Sequence, residues 1–151
     1  MPEYADIYAL GRERSEAAIK GFLDRFLPFR VESADEYEVP QYSSEPHTVF
    51  STADDLIEYC CNNPAEQHAI YWRSQTRDEH AEVFFLRDGG LIFGLSVPSE
   101  DNERVDGLYT RITRFLKTDL VFVTHEGLPP RTSEGFRDLL NSLPKQPGEE
   151  S

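Results

Sequence analysis

Two neighbouring apolar segments near the centre of the chain constrain its fold more than any other feature of the sequence. Residues 82–87 (EVFFLR) and 91–97 (LIFGLSV) are rich in β-forming side chains, and Asp88, Gly89 and Gly90 separate them. Consecutive glycines readily adopt the positive φ angles of a tight turn. The pattern therefore predicts a β-hairpin. Because both strands are almost continuously apolar, we expect the hairpin to lie in a central sheet and to be covered on both faces.

The other periodic segments alternate between strands and helices. Helices are predicted after the N-cap residues Ser15 and Thr52, over residues 103–117 and from Thr132 onward. Further strands are predicted at residues 4–10, 31–39, 69–73 and 120–124. This order indicates an α+β fold with a central, largely antiparallel sheet of about four to six strands and three to four packed helices. We expect a single domain over residues 1–143 and a flexible polar tail over residues 144–151.

The apolar positions of these elements predict the hydrophobic core. Trp72, the single tryptophan, follows Tyr71 in a predicted strand, and adjacent strand residues point to opposite faces of a sheet. We therefore expect Trp72 in the core and Tyr71 on the exposed side. The other predicted core residues are Phe22, Phe26, Leu56, Phe84, Leu86, Ile92, Leu95, Ile112, Phe115, Val121, Val123, Phe136 and Leu140.

The two cysteines, Cys60 and Cys61, are adjacent in the sequence. Neighbouring residues rarely meet the geometry of an unstrained disulfide, so they are predicted to be reduced thiols in a cytoplasmic protein. Two cysteines cannot complete a thiolate zinc site. The sequence also lacks the glycine-rich loops that bind phosphates or dinucleotides. We therefore expect neither a metal nor another cofactor.

The histidines do not form a recognised catalytic pattern. His80-Ala81-Glu82 is half of the zinc deaminase signature, but no cysteine follows to supply the other ligands. No Gly-x-Ser-x-Gly motif is present either. We therefore predict no catalytic residue. The alternative left open is a small enzyme or small-ligand-binding domain with its site near His68 and His125, to which Glu126 and Cys60 could contribute.

Acidic residues dominate the charge of the chain. Asp and Glu number 28 against 15 Lys and Arg, which gives a formal net charge of −13. Such a chain is poorly suited to coat nucleic acid or an anionic membrane, and it is suited to a basic protein partner. The densest cluster combines carboxylates with tyrosines in an irregular segment. The predicted partner-binding residues are Glu32, Asp35, Glu36, Tyr37, Glu38 and Tyr42.

These observations favour a non-enzymatic protein that docks onto a basic partner. In size, charge and lack of catalytic motifs, the chain resembles bacterial immunity proteins, which neutralise toxins by occupying a cationic active site. A convex acidic face would favour this hypothesis. A pocket with converging polar groups, one of which has a pKa shifted by burial, would favour the ligand-binding alternative. A third hypothesis is a subunit that self-associates through a sheet edge or a helix face. The acidity also has an explanation that involves no partner, because a generally acidic proteome would give the chain the same net charge.

Overall fold

A computed structural model describes residues 3–143 and contains a large sheet, a small sheet and helices. The strands are β1 (Tyr4–Leu10), β2 (Arg30–Glu32), β3 (Tyr37–Val39), β4 (Thr48–Phe50), β5 (His68–Ser74), β6 (His80–Phe85), β7 (Leu91–Pro98) and β8 (Val121–His125). The helices are α1 (Glu16–Phe26), α2 (Ala53–Asn62), α3 (Asn102–Leu116) and α4 (Ser133–Ser142). The predicted α+β class is confirmed. The predicted tail at 144–151 lies outside the described residues.

The large sheet has six strands in the order β2-β5-β6-β7-β1-β8, and neighbouring strands are antiparallel. The predicted hairpin forms its centre, with Phe85 opposite Leu91 and Gly89 in the turn at a φ of 89°. The first strand of the chain inserts between β7 and β8. This arrangement brings residues from distant parts of the sequence side by side. The small sheet pairs β3 with β4.

Side-chain hydroxyl caps define where α1, α2 and α4 begin, and the sequence predicts the caps at Ser15 and Thr52. The hydroxyl groups accept hydrogen bonds from backbone N–H groups three residues further on, which satisfies donors that a helix leaves free. These bonds join Ser15 to Ala18, Thr52 to Asp55 and Thr132 to Gly135. The longest helix, α3, has 15 residues. No helix within residues 3–143 is long and apolar enough to cross a membrane.

The two faces of the sheet are covered unequally. Helices α1, α2 and α3 contribute to the larger core, which includes Phe22, Leu56 and Ile112. On the other face α4 contributes Phe136 to a smaller cluster that also contains Phe122. The expectation that both faces of the hairpin are covered is therefore correct on the first face and only partly correct on the second.

Most of the predicted core is buried, and the exceptions have a common cause. Trp72 is 3% exposed and Tyr71 is 39% exposed, so their predicted division between core and surface is confirmed. Phe115 is a correction: it lies on the flank of α3, touches Phe26 edge-on and is 40% exposed. Phe84, Val123 and Leu140 are half-buried, while the remaining predicted core residues are buried. These residues lie where the packed faces are only partly covered. Sequence periodicity shows which side of an element is apolar, but it does not show how far a neighbouring helix covers that side.

Arg14 joins the end of α2 to the central hairpin. Its Nη1 atom donates to the carbonyl oxygens of Cys60 and Asn63, at 2.7 and 2.9 Å. Its Nη2 atom donates to the carbonyl oxygens of Glu66 and Leu86, at 2.7 and 2.5 Å. Two of these acceptors lie at the C-terminal end of a helix, where the backbone dipole favours a cation. One planar guanidinium thus satisfies carbonyl groups from three segments.

We expect Arg14→Lys to lower the free energy of unfolding by about 2 kcal/mol or more, because a single ammonium cannot reach all four carbonyls and leaves at least one unsatisfied. The exposed Arg12 provides the control, since Arg12→Lys should change stability by less than about 0.5 kcal/mol. Urea denaturation of both variants measures the difference. Equal stability of the two variants would contradict the role given to Arg14.

Candidate functional site

The part of the sheet that α4 leaves uncovered forms a groove with a volume of about 370 Å³, here called the open groove. Its floor lies on the inner strands β1, β6 and β7. The floor residues are Asp6, Tyr8, Glu82 and Ser96. The surrounding residues are Tyr4, Tyr71, His80, Phe84, Glu126, Gly127 and Leu128.

The register of the strands brings the floor residues together. Asp6 and His80 both pair with Ser96, while Tyr8 and Glu82 both pair with Gly94. Side chains directly opposite one another project from the same face. Gly94 makes room for two of these side chains, because a Cβ atom there would lie 2.8 Å from the Cγ of Glu82 and 3.0 Å from the ring of Tyr8. A glycine at this position therefore allows two large side chains to meet over the strand between them.

Ser96 bridges the two buried carboxyl groups. Its Oγ lies 2.5 Å from the Oδ1 of Asp6 and 2.8 Å from the Oε1 of Glu82. A hydroxyl carries one proton and can donate to only one of them. Both contacts are favourable when one carboxyl is itself protonated. Protonated Glu82 then donates to Ser96, and Ser96 donates to ionised Asp6.

Burial assigns the proton to Glu82. Desolvation raises the pKa of Glu82 to about 8, and the nearby charge of Asp6 adds to the rise. Desolvation also raises the pKa of Asp6, but the hydrogen bonds from Ser96 and from the backbone of Gly127 oppose the rise. The Gly127 N–H donates to the Oδ2 of Asp6 at 3.2 Å. Asp6 is therefore the better-supported anion of the pair.

The polar groups of the open groove are mainly acceptors. Tyr8 donates its hydroxyl proton to the Gly127 carbonyl at 2.7 Å, and Tyr4 donates to Asp78 at 2.9 Å. Asp6 and Glu82 remain as acceptors on the floor, and Glu126 adds a third carboxyl group. No lysine or arginine is among the described residues that line the groove. Carboxyl oxygens between aromatic walls suit a cation with an apolar stem.

The predicted partner-binding residues divide into exposed and structural ones. Asp35 and Glu36 are exposed between β2 and β3, and Glu38 is half-buried in β3. Glu32 is also exposed, but it accepts hydrogen bonds at 2.8 Å from the Ala53 N–H, at the start of α2, and from the Tyr37 hydroxyl. The exposed members remain available to a partner.

Tyr37 and Tyr42 have different environments. Tyr37 is 3% exposed and packs in the larger core, so it is not a surface aromatic as the sequence analysis expected. Tyr42 is 82% exposed. It lines a neighbouring cavity of about 590 Å³ that shares Tyr71, Phe84 and Leu128 with the open groove. Tyr42 therefore extends the surface of the groove.

The histidines proposed for the alternative site do not converge. His68 is buried in β5, and its ring nitrogens lie 2.9 Å from the Glu38 carbonyl oxygen and 3.2 Å from that of Ala69. His125 is exposed in β8, four strand positions away in the sheet, or about 19 Å. A site formed by both histidines is therefore ruled out by their separation. Of the other candidates for that site, Glu126 lines the open groove.

Cys60 is unsuited to nucleophilic chemistry. It is buried on the inner face of α2, and desolvation raises the pKa of its thiol to about 12. Both cysteines are free thiols, as the sequence predicts. Among residues 3–143, no group of three or more His, Cys, Asp or Glu side chains is arranged to hold a metal ion.

Sequence reasoning missed the central residues of the groove. Asp6 lies within an apolar strand and belongs to no motif, and Glu82 enters only the incomplete zinc deaminase pattern with His80. One feature of the sequence could have identified them. Both are carboxylates at strand positions that the alternation of side chains places on a buried face of the sheet, where charged residues are rare. Ser96 carried no such signal. Their proximity depends on the insertion of β1 beside β7.

Two features expected of the ligand-binding alternative are present. The open groove contains converging polar groups, and burial raises the pKa of one of its carboxyl groups. Comparison of the chain with protein-family models, with curated proteins and with solved structures finds no significant match. The function is therefore inferred from the geometry of the site itself.

We expect the stability of the protein to fall as the pH rises from about 5 to 8, because unfolding releases the proton that folded Glu82 retains with a pKa of about 8. Below the ordinary pKa of glutamate both states hold this proton, so its contribution is complete there. Each proton released on unfolding lowers the free energy of unfolding by about 1.4 kcal/mol per pH unit.

Glu82→Gln should remove this part of the pH dependence, because the amide does not titrate. Urea denaturation across this pH range compares the wild type with Glu82→Gln and with Glu103→Gln, an exposed change on α3 that should preserve the wild-type slope. Parallel curves for the wild type and Glu82→Gln would contradict a protonated Glu82.

Proposed function

We propose that this chain is a non-enzymatic acidic binding protein that docks onto a basic partner protein, of the general kind of a bacterial toxin-neutralising immunity protein. The observation that supports the proposal most strongly is the composition of the open groove, whose lining has three carboxyl groups and no lysine or arginine among the described residues. The net charge of −13 would steer a cationic partner towards the chain. The free thiols of Cys60 and Cys61 fit a cytoplasmic setting, which is part of the proposal.

A lysine or arginine side chain of the partner matches the groove. Its apolar stem can lie against the aromatic walls at Tyr71 and Phe84, while its charged head reaches Asp6 and Glu82. A nearby cation favours the ionised form of a carboxyl group. Docking would therefore draw the proton from Glu82 and leave the cation between two carboxylates. The free protein does not bear the cost of two buried adjacent charges.

The margin of the groove adds the apolar contacts that a protein interface requires. Tyr42, Tyr71 and Leu128 are 82%, 39% and 81% exposed, and they border two adjoining cavities. Exposed tyrosines supply large contact areas at protein interfaces with little loss of conformational entropy. Because these side chains are exposed and border both cavities, they can contact a macromolecular partner that extends past the groove.

A second candidate function is a small-ligand-binding domain or enzyme that uses the same groove. Its volume of about 370 Å³ falls within the usual range for small-molecule sites, and protonated Glu82 can donate a proton. The three carboxyl groups of the lining, with no lysine or arginine among the described residues, favour a small organic cation as such a ligand. Binding of such an amine with no protein partner would favour this candidate.

Affinity capture from the lysate of the native organism, washed at low and high salt, tests the proposed function. We expect the wild type to retain a basic protein at low salt and to lose it steeply as salt rises. Glu126→Lys, at the groove, should weaken capture at least about tenfold by placing a cation where the partner's cation binds. Glu58→Lys makes the same charge change at an exposed position of α2, and this variant should still capture the basic protein.

The pattern of losses locates the interface. Equal loss in both variants would indicate net charge alone and would contradict docking at the groove. Asp35→Lys combined with Glu36→Lys tests the exposed acidic segment with little expected change in melting temperature, because both side chains are exposed. Loss of capture only in that double variant would move the interface to the connection between β2 and β3. Retention of no specific protein at either salt would contradict the proposal.

A further inference from the structure

A basic pocket lies beside the helices on the face of the sheet opposite the open groove. It has a volume of about 410 Å³ and is bordered by the end of α1, the connection from β5 to β6, and α3. We call it the arginine pocket and define it by Arg25, Phe29, Arg77, Glu79, Arg104 and Arg111. Four arginines in one pocket are unexpected in a chain with a net charge of −13.

The charges within the arginine pocket do not cancel. Among the described residues that line the pocket, Glu79 is the single carboxylate, and it is 8% exposed. Its Oε1 contacts the Nη2 of Arg104 and lies 3.7 Å from the Nη1 of Arg77. One carboxylate neutralises one guanidinium, so the four arginines leave three positive charges in excess. The pocket is therefore electropositive within an acidic protein.

The arginines are also close enough to repel one another. Burial lowers the pKa of Arg104, and the neighbouring charges of Arg77 and Arg111 lower it further, whereas Asp78 opposes them. Arg104 and Arg111 lie on one face of α3, with Leu108 between them. Their spacing is held by the helix and does not depend on flexible loops. An anion that enters the pocket would relieve this repulsion.

The apolar side of the pocket is also exposed. Phe29 follows α1 and is 63% exposed, although the backbone carbonyl of the same residue accepts a hydrogen bond from Gln75. The backbone is thus held in place while the ring remains uncovered. An aromatic ring beside guanidinium groups can contact the apolar part of an anionic ligand.

We propose that the arginine pocket binds a phosphate-bearing small molecule, with its phosphate on the guanidinium groups and its apolar part against Phe29. Guanidinium groups match phosphate geometry through paired hydrogen bonds, and several of them around one cavity supply the opposing charge. The proposal does not depend on the function assigned to the open groove, because the two sites share no lining residue and need ligands of opposite charge.

Isothermal titration calorimetry of the full chain with ATP, pyrophosphate and adenosine tests the proposal. We expect ATP to bind, pyrophosphate to bind more weakly and adenosine not to bind, since only ATP offers both a phosphate and an apolar ring. Arg111→Gln combined with Arg25→Gln should weaken ATP binding at least about tenfold through loss of charge-assisted hydrogen bonds. Arg114→Gln is the control, because Arg114 is exposed on the same helix and does not line the pocket.

Phe29→Ala separates the two parts of the proposed ligand. It should weaken ATP binding but leave pyrophosphate binding unchanged, and the exposed ring can be removed without opening the core. Adenosine binding as tight as that of ATP, or equal weakening by Arg114→Gln, would overturn the proposal. The absence of ATP binding at millimolar concentration would also overturn it. If ATP did not bind but the chain still captured a basic protein, the proposal for the arginine pocket would be overturned and the proposed function of the open groove would stand.

Discussion

The open groove exists because α4 packs against only one end of the strands beneath it. Its cluster contains Leu10, Ile92 and Phe122, whereas Asp6 and Ser96 lie towards the opposite ends of β1 and β7. Three helices cover the opposite face, so only one face retains an accessible region over its inner strands. Asp6 and Glu82 lie in that region. The same limited coverage leaves Tyr71 exposed and Phe84 half-buried.

The bridge through Ser96 connects this architecture to binding. One hydroxyl proton serves two carboxyl groups, and this is favourable while Glu82 remains protonated. The free protein thereby avoids two neighbouring buried charges, while it retains acceptors that a cation can use. Gly94 contributes by having no side chain, which allows Glu82 and Tyr8 to approach each other. Under the proposed function, the groove could accept a positive charge without holding two buried anions beforehand.

Features set by nearby residues could be predicted from the sequence, and features set by chain topology could not. The hairpin around Gly89, the cap at Ser15 and the opposite orientations of Tyr71 and Trp72 follow from local backbone preferences. The contact between Asp6 and Ser96 spans 90 residues of sequence and depends on where β1 enters the sheet. Charge density located an acidic segment, but it could not show that the ring of Tyr37 turns inward.

Hydrogen–deuterium exchange tests most directly whether the open groove is the docking surface. The exchange of the free chain would be compared with that of its complex with the basic protein that it retains. Docking at the groove predicts slower exchange in residues 126–131 and in the β3–β4 connection at residues 40–47, with α1, α2 and α3 unchanged. Slower exchange confined to α1, α2 and α3 would place the partner on the opposite face and contradict the account.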